Sequence, residues 1–136
     1  MRVLVIGGTG FIGATAVREL VRGGHDVTVF HRGRRPAPPG AREIIGDRRN
    51  LPDFAAQFRA LAPEVVLDTI IASGRQAILL ADAFRGVARR VVMLSSGDVY
   101  RAAGILHGTE PGEPDNSPIT EDSALRQKLQ IGRAHV

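Results

Sequence analysis

Thirteen residues at the start of the chain constrain its fold more than any others. Arg2-Val-Leu-Val-Ile6 is a short apolar run rich in β-branched residues, the composition of a buried strand. Gly7-Gly-Thr-Gly10-Phe-Ile-Gly13 follows at once. The next stretch, to Arg22, reads as helix and is stopped by Gly23-Gly24. A strand that turns through glycines directly into a helix builds a phosphate-binding corner. Gly7 permits the tight exit from the strand, where a Cβ would clash. Gly10 lets the backbone approach a pyrophosphate, and Gly13 lets the helix pack near the sheet. Amides of the first helical turn then face phosphate oxygens, and the helix dipole favours their charge. A glycine-rich turn that binds nothing is the competing account. The strand before it and the helix after it weigh against that.

The rest of the chain repeats the strand–helix alternation. Strands are predicted at Asp26–Phe30, Ala41–Ile45, Glu64–Ile71 and Arg90–Leu94, and helices at Leu51–Leu61 and Gln76–Phe84. In the first of these helices Phe54 and Phe58 are one turn apart, and Pro63 ends it. In the second, Ile78, Leu79 and Ala83 are available to the sheet. The loop Arg32–Gly40 is stiff with proline. Glu64–Ile71 is nearly continuously apolar, as expected of a strand covered on both faces. From Gly104 to Pro118 the composition is that of a loop. These units predict an α/β fold: a doubly wound, Rossmann-like parallel sheet in the order 3-2-1-4-5, truncated after strand 5. Ligands of such sheets bind at the carboxyl ends of the strands, beside the switch between strands 1 and 4.

The chain has 136 residues, enough for one domain with a core. No apolar run reaches membrane-spanning length, and the N-terminus reads as a strand, not a signal peptide. With no cysteine there is no disulfide or thiol chemistry, which predicts a cytoplasmic protein; no metal site is expected. The net charge is +4, carried almost wholly by arginine, with Lys128 the only lysine. The arginines are scattered except at Arg32/Arg34/Arg35, Arg48/Arg49 and Arg89/Arg90, and aromatics are only 4%, so the basic faces lack stacking partners for bases. That weighs against nucleic acid as a partner; a GC-rich genome is the favoured explanation of the arginine excess.

The run Val3-Leu-Val-Ile-Gly-Gly-Thr-Gly-Phe-Ile-Gly13 resembles the N-terminus of the extended short-chain dehydrogenase/reductase superfamily, the group of the NAD-dependent epimerases and dehydratases. The G-x-x-G-x-x-G spacing and the Thr9-Gly-Phe-Ile-Gly13 core carry the likeness, which continues to about Asp122. It implies that Gly7, Thr9, Gly10, Phe11, Ile12 and Gly13 form the cofactor's diphosphate corner. In such proteins an acidic residue at the end of strand 2 often holds the adenine ribose. Here that place falls on His31, in Phe30-His-Arg-Gly-Arg-Arg35, and no carboxylate is present. Arg32, helped by Arg34 or Arg35, could instead pair with a 2′-phosphate through charge-assisted bonds worth about 1.5–3 kcal/mol each. NADP is therefore favoured over NAD; the competing account is a solvated basic loop. Asp47, in Gly46-Asp-Arg48, matches the Asp that binds the adenine amino group, with Arg48 beside it; a turn Asp capping its own backbone is the alternative. Asp68-Thr-Ile-Ile71 stands where the family commonly shows His-x-Ala-Ala. Ile70 would line the nicotinamide side. Asp68, in an apolar strand, needs a partner that the sequence does not name.

Val91-Val-Met-Leu-Ser-Ser-Gly-Asp-Val-Tyr100 resembles the family's fifth strand and its Ser-Ser-x-x-Val-Tyr signature. By that match Ser96 is the catalytic hydroxyl that hydrogen-bonds the reacting substrate oxygen. The alternative is a serine capping the next turn. The family's Tyr-x-x-x-Lys pair is missing: Tyr100 is followed at that spacing by Gly104, and no Tyr precedes Lys128 correctly. Residues 1–130 are thus expected to be a truncated NAD(P)-binding domain without its substrate lobe. Ile131-Gly-Arg-Ala-His-Val136 is what ATC GGA AGA GCA CAC GTC, a common sequencing-library adapter, encodes. A non-native tail at 131–136 is expected, with a native polar tail as the alternative. The reading is the cofactor-binding part of an epimerase/dehydratase or reductase acting on a small hydroxyl or carbonyl compound, nucleotide-sugars included, and inactive by itself. A non-catalytic NAD(P)-sensing or RNA-binding module of the same fold is the alternative. The oligomeric state is not legible.

Overall fold

The computed structural model describes residues 1–114 and 117–127. The chain divides into two compact units, Met1–Leu94 and a second beginning at Ser95. The first unit holds a five-stranded sheet in the order β3-β2-β1-β4-β5, with every pairing parallel. Its strands are β1 (Arg2–Ile6), β2 (Asp26–His31), β3 (Arg42–Ile45), β4 (Val65–Asp68) and β5 (Arg90–Met93). Its helices are α1 (Phe11–Arg22), α2 (Ala55–Leu61) and α3 (Gly74–Phe84), with a 3-10 segment at Arg48–Phe54. The predicted sheet order and all five strands are present.

Alternation along β1 splits the core into two layers. Leu4 and Ile6 face one side with Phe30, Val66, Leu51, Phe58, Leu80 and Phe84. Val3 and Val5 face the other with Val27, Val29 and Val17 of α1. Four of the five phenylalanines build the first layer: Phe30 meets Phe54 edge-on at 4.9 Å, and Phe58 lies 4.8 Å from Phe84. The fifth, Phe11, is 94% exposed at the start of α1.

Four elements depart from expectation. The segment Leu51–Leu61 is not one helix. Asn50 leaves helical geometry, Pro52 sits in the 3-10 turn, and regular α-helix begins only at Ala55. A proline suits the first turn of a helix, where its missing N–H costs nothing. Strand β4 stops at Asp68 rather than Ile71, because its partner β1 ends at Ile6, opposite Asp68, where Gly7 turns away. In α3 the inward positions are Leu80, Ala83 and Phe84; Ile78 is 65% exposed. This helix starts at Gly74, two residues early, because the Ser73 hydroxyl caps it by accepting from the Gln76 amide at 3.3 Å.

The fourth departure lies in the second unit, where helix α4 (Arg101–Leu106) runs through Gly104 into the stretch expected to be loop. Gly104 is buried, and the side chains of Glu110 and Arg126 pack where its Cβ would stand, at 3.2 and 3.3 Å. Glu110, 8% exposed, lies 3.9 Å from both Arg101 and Arg126 and accepts from the Gln127 amide at 2.9 Å. Tyr100 bridges to Leu125 in antiparallel fashion. The expected tail at 131–136 and Lys128 lie outside the described residues.

Candidate functional site

The turn between β1 and α1 is built by close approach. The Gly7 amide donates to the Phe30 carbonyl at 3.1 Å, and Gly10 donates back to Gly7 at 3.1 Å. Gly7 adopts φ +84°, and a Cβ there would stand 2.6 Å from Ile70. A Cβ on Gly13 would stand 2.3 Å from the Gly7 carbonyl oxygen, so α1 packs directly on the turn backbone. Gly8, to which the sequence assigned no task, sits where a Cβ would meet Val29 and Val17 at 2.8 and 2.9 Å. Gly10 is different. Its φ of −82° suits any residue, and the nearest atom to its Cβ position is 3.5 Å away. That face is open. Gly10 is the N-cap of α1, and no side chain caps the helix. The helix end thus keeps its positive dipole and presents it to space that a diphosphate can enter. Thr9 is half-buried, and Ile12, like Phe11, is exposed beside this opening.

The ends of the neighbouring strands complete the site. His31, at the end of β2, is 6% exposed. Its Nδ1 accepts from the Gly33 amide at 3.2 Å, and its Nε2 lies 3.5 Å from Glu43. The ring therefore holds the basic loop from inside, while Glu43 also accepts from the Ala37 amide at 2.6 Å. Arg32, Arg34 and Arg35 are exposed, with no hydrogen bond or ion pair to any described residue. Arg32 is close enough to Asp47 to help stabilise that carboxylate.

Asp47 caps the 3-10 segment by accepting from the Arg49 amide at 2.9 Å, and the Arg49 guanidinium grips both of its oxygens. The Arg49 side chain, followed by its amide, lowers the Asp47 pKa from 3.8 to about 2. The carboxylate is thus ionised and fixed beside the site, and the turn capping that stood as the alternative to adenine binding is present. Arg48 turns inward. Its side chain is 9% exposed and pairs with Asp68, which is fully buried. Arg48 is the partner that Asp68 required. The other Asp68 oxygen accepts from the Ile70 amide at 2.9 Å, and Thr69 bonds the Ile6 carbonyl through both its amide and its hydroxyl at 3.1 Å. Ile70 is 46% exposed and touches the Gly7 turn. The sequence placed Arg48 at the cofactor and left Asp68 alone. A sequence separation of twenty residues hid their pairing.

Gly7, Gly10, Gly13, Arg32, Asp47 and Ile70 therefore lie along the carboxyl ends of β1 to β4 in one sheet. Ser96 belongs to the other unit. It is exposed and caps a 3-10 turn, Gly97–Val99, by accepting from the Asp98 amide at 3.2 Å.

Comparison with known proteins fits this architecture. The chain is 45% identical over 157 aligned positions, covering 97% of it, to a 3-beta-hydroxysteroid dehydrogenase of Mycolicibacterium neoaurum. It is 29% identical, over 93% of its length, to the chloroplast stem-loop binding protein of 41 kDa b of Arabidopsis thaliana. A UDP-glucose 4-epimerase from Stenotrophomonas maltophila, solved with bound NAD and formylated UDP-arabinopyranose, superimposes with a TM-score of 0.71 at 23% identity, over 95% of this chain and 44% of that one. The chain spans only 35% to 43% of the length of the curated relatives that it matches along most of its own length. Residues 3–123 match the sequence model of one family, and with the glycine corner and sheet order above they establish that the chain belongs to the NAD dependent epimerase/dehydratase family.

Proposed function

We propose that this chain is the dinucleotide-binding part of an oxidoreductase or epimerase acting on a hydroxyl or carbonyl compound, with nucleotide-sugars the leading class. The observation that carries the reading is the open, uncapped start of α1 at Gly10, set against a turn that tolerates no side chain at Gly7 or Gly13. The start of α1 would hold the diphosphate and Ile70 would wall the nicotinamide side, while Asp47, both of whose oxygens Arg49 grips, would take the adenine amino group on a remaining lone pair. A bound nicotinamide supplies a hydride acceptor or donor. Ser96 orients the substrate hydroxyl by hydrogen bonding. No Tyr-x-x-x-Lys pair is present in these 136 residues, so Ser96 is the one member of the catalytic set assigned here.

The same chain favours NADP over NAD. Strand β2 ends without a carboxylate to accept from the ribose hydroxyls, and Arg32 stands exposed in the next position, with no ion pair among the described residues. Its guanidinium suits a 2′-phosphate. A second reading, an RNA-binding module, is favoured by the stem-loop binding relative together with the free Arg32, Arg34 and Arg35. It requires affinity for a stem-loop RNA that falls steeply with salt.

Gly10→Asp decides between a working corner and a vestigial one. The backbone accepts the side chain, and Asp is a good N-cap, so stability should hold or rise by roughly a few tenths of a kcal/mol. The carboxylate would occupy the diphosphate's place with like charge. Titration calorimetry should show dinucleotide affinity falling at least about 100-fold, a loss of about 2.7 kcal/mol. Undiminished binding would overturn the assignment.

A further inference from the structure

The buried pair Arg48–Asp68 is poorly suited to stabilising the fold. Asp68 is fully enclosed and satisfied by Arg48 and the Ile70 amide. Arg48 is not satisfied: its Nε and Nη1 are buried with no hydrogen-bond partner among the described residues. Enclosing a charge pair with donors left over costs desolvation that well-packed apolar side chains would avoid. The pair joins two places that a dinucleotide must touch together. Arg48 directly follows Asp47, at the adenine-side turn. Asp68 sits opposite Ile6 in the sheet and fixes Ile70, which packs against Gly7 of the diphosphate turn.

We propose that Arg48 and Asp68 are positioning residues that hold the adenine-side turn in register with the diphosphate turn. The proposal rests on the dinucleotide reading above. Neither side chain needs to touch the cofactor. The linked ligand gains from two subsites only when their spacing matches its own, so slackening the tie weakens the whole dinucleotide more than either half.

The test compares Arg48→Met, Asp68→Asn and the double variant Arg48→Met/Asp68→Leu, reading melting temperature and affinity for NADP, NAD and AMP. An apolar pair of similar volume removes the buried charges without stranding one of them. The double variant should melt within a few degrees of the parent yet bind the preferred dinucleotide at least about tenfold more weakly, while AMP affinity stays within about threefold. Recovery of parental dinucleotide affinity by the double variant overturns the proposal, since a purely structural pair would behave so. An equal loss of AMP affinity overturns it too, by showing a direct adenine contact. Asp68→Asn keeps an oxygen for the Ile70 amide and should fall between parent and double variant if the others do not fold; parental dinucleotide affinity in it counts against the tie. A parent that binds neither dinucleotide removes the underlying site reading, and that result appears before any variant is made.

Discussion

Two residues at neighbouring strand ends carry opposite charge for different reasons. Arg32 makes no hydrogen bond or ion pair among the described residues and acts on Asp47 only through its charge, whereas Asp47 is held directly by Arg49. Arg32→Ala should lower NADP affinity about 10- to 100-fold, the loss of one charge-assisted contact of about 1.5–3 kcal/mol, and leave NAD affinity nearly unchanged. Equal parental affinities for the two cofactors, measured by calorimetry, would refute the preference. Asp47 has a pH signature. Its folded pKa of about 2 lies below the ordinary 3.8, so its contribution is fully present above about pH 4 and disappears as pH falls through 2. Parent and Asp47→Asn should therefore differ in melting temperature at pH 5 and converge towards pH 2. A constant difference would mean that the carboxylate's charge is not what matters. The capping function of Asp47 was open to the sequence only as the alternative to adenine binding. Its grip by Arg49 was not legible, because Gly46-Asp-Arg-Arg49 offers two arginines and sequence cannot say which turns back and which turns in.

At the scale of elements, what was legible follows from local physics. The β1 apolar run, the glycine turn and the two-glycine stop of α1 are near-neighbour signals, and all three fall where expected. What was missed depends on partners distant in sequence. The end of β4 is set by the length of β1, and the inward face of α3 is set by Phe58 and the sheet. His31 marked the end of β2 in sequence, but only tertiary contact shows its ring buried against Glu43 and the Gly33 amide. The glycines separate by function in the same way. Gly13→Ala drives a methyl into the Gly7 carbonyl oxygen, which belongs to backbone and cannot swing aside. Overpacking of this kind costs about 1–3 kcal/mol, and chemical denaturation should show it. Gly10→Ala meets nothing nearer than 3.5 Å and should cost only what a poorer N-cap costs, under about 1 kcal/mol. Similar losses in both variants would mean that the turn is not packed as described.

For the whole molecule the question is how a corner made of backbone amides couples to global stability. The first unit's core passes directly beneath the site: Ile6 pairs with Asp68 and Phe30, and the Phe30 carbonyl receives the Gly7 amide. Unfolding of the sheet must dismantle the corner, so any ligand held there stabilises the sheet by mass action. At a free dinucleotide concentration 100 times Kd the gain is about 2.7 kcal/mol. For a unit of this size, about 4–8 °C per kcal/mol predicts a rise in melting temperature of about 10 °C or more. The rise should scale with the logarithm of cofactor concentration, and the preferred cofactor should give the larger shift at equal concentration. Gly10→Asp should abolish it while keeping the parental melting point without ligand. Were the shift to survive in Gly10→Asp, the stabilising contact would lie elsewhere, because no other substitution at this site separates folding from phosphate access so cleanly: Gly7, Gly8 and Gly13 are all filled from behind, and only Gly10 is open in front.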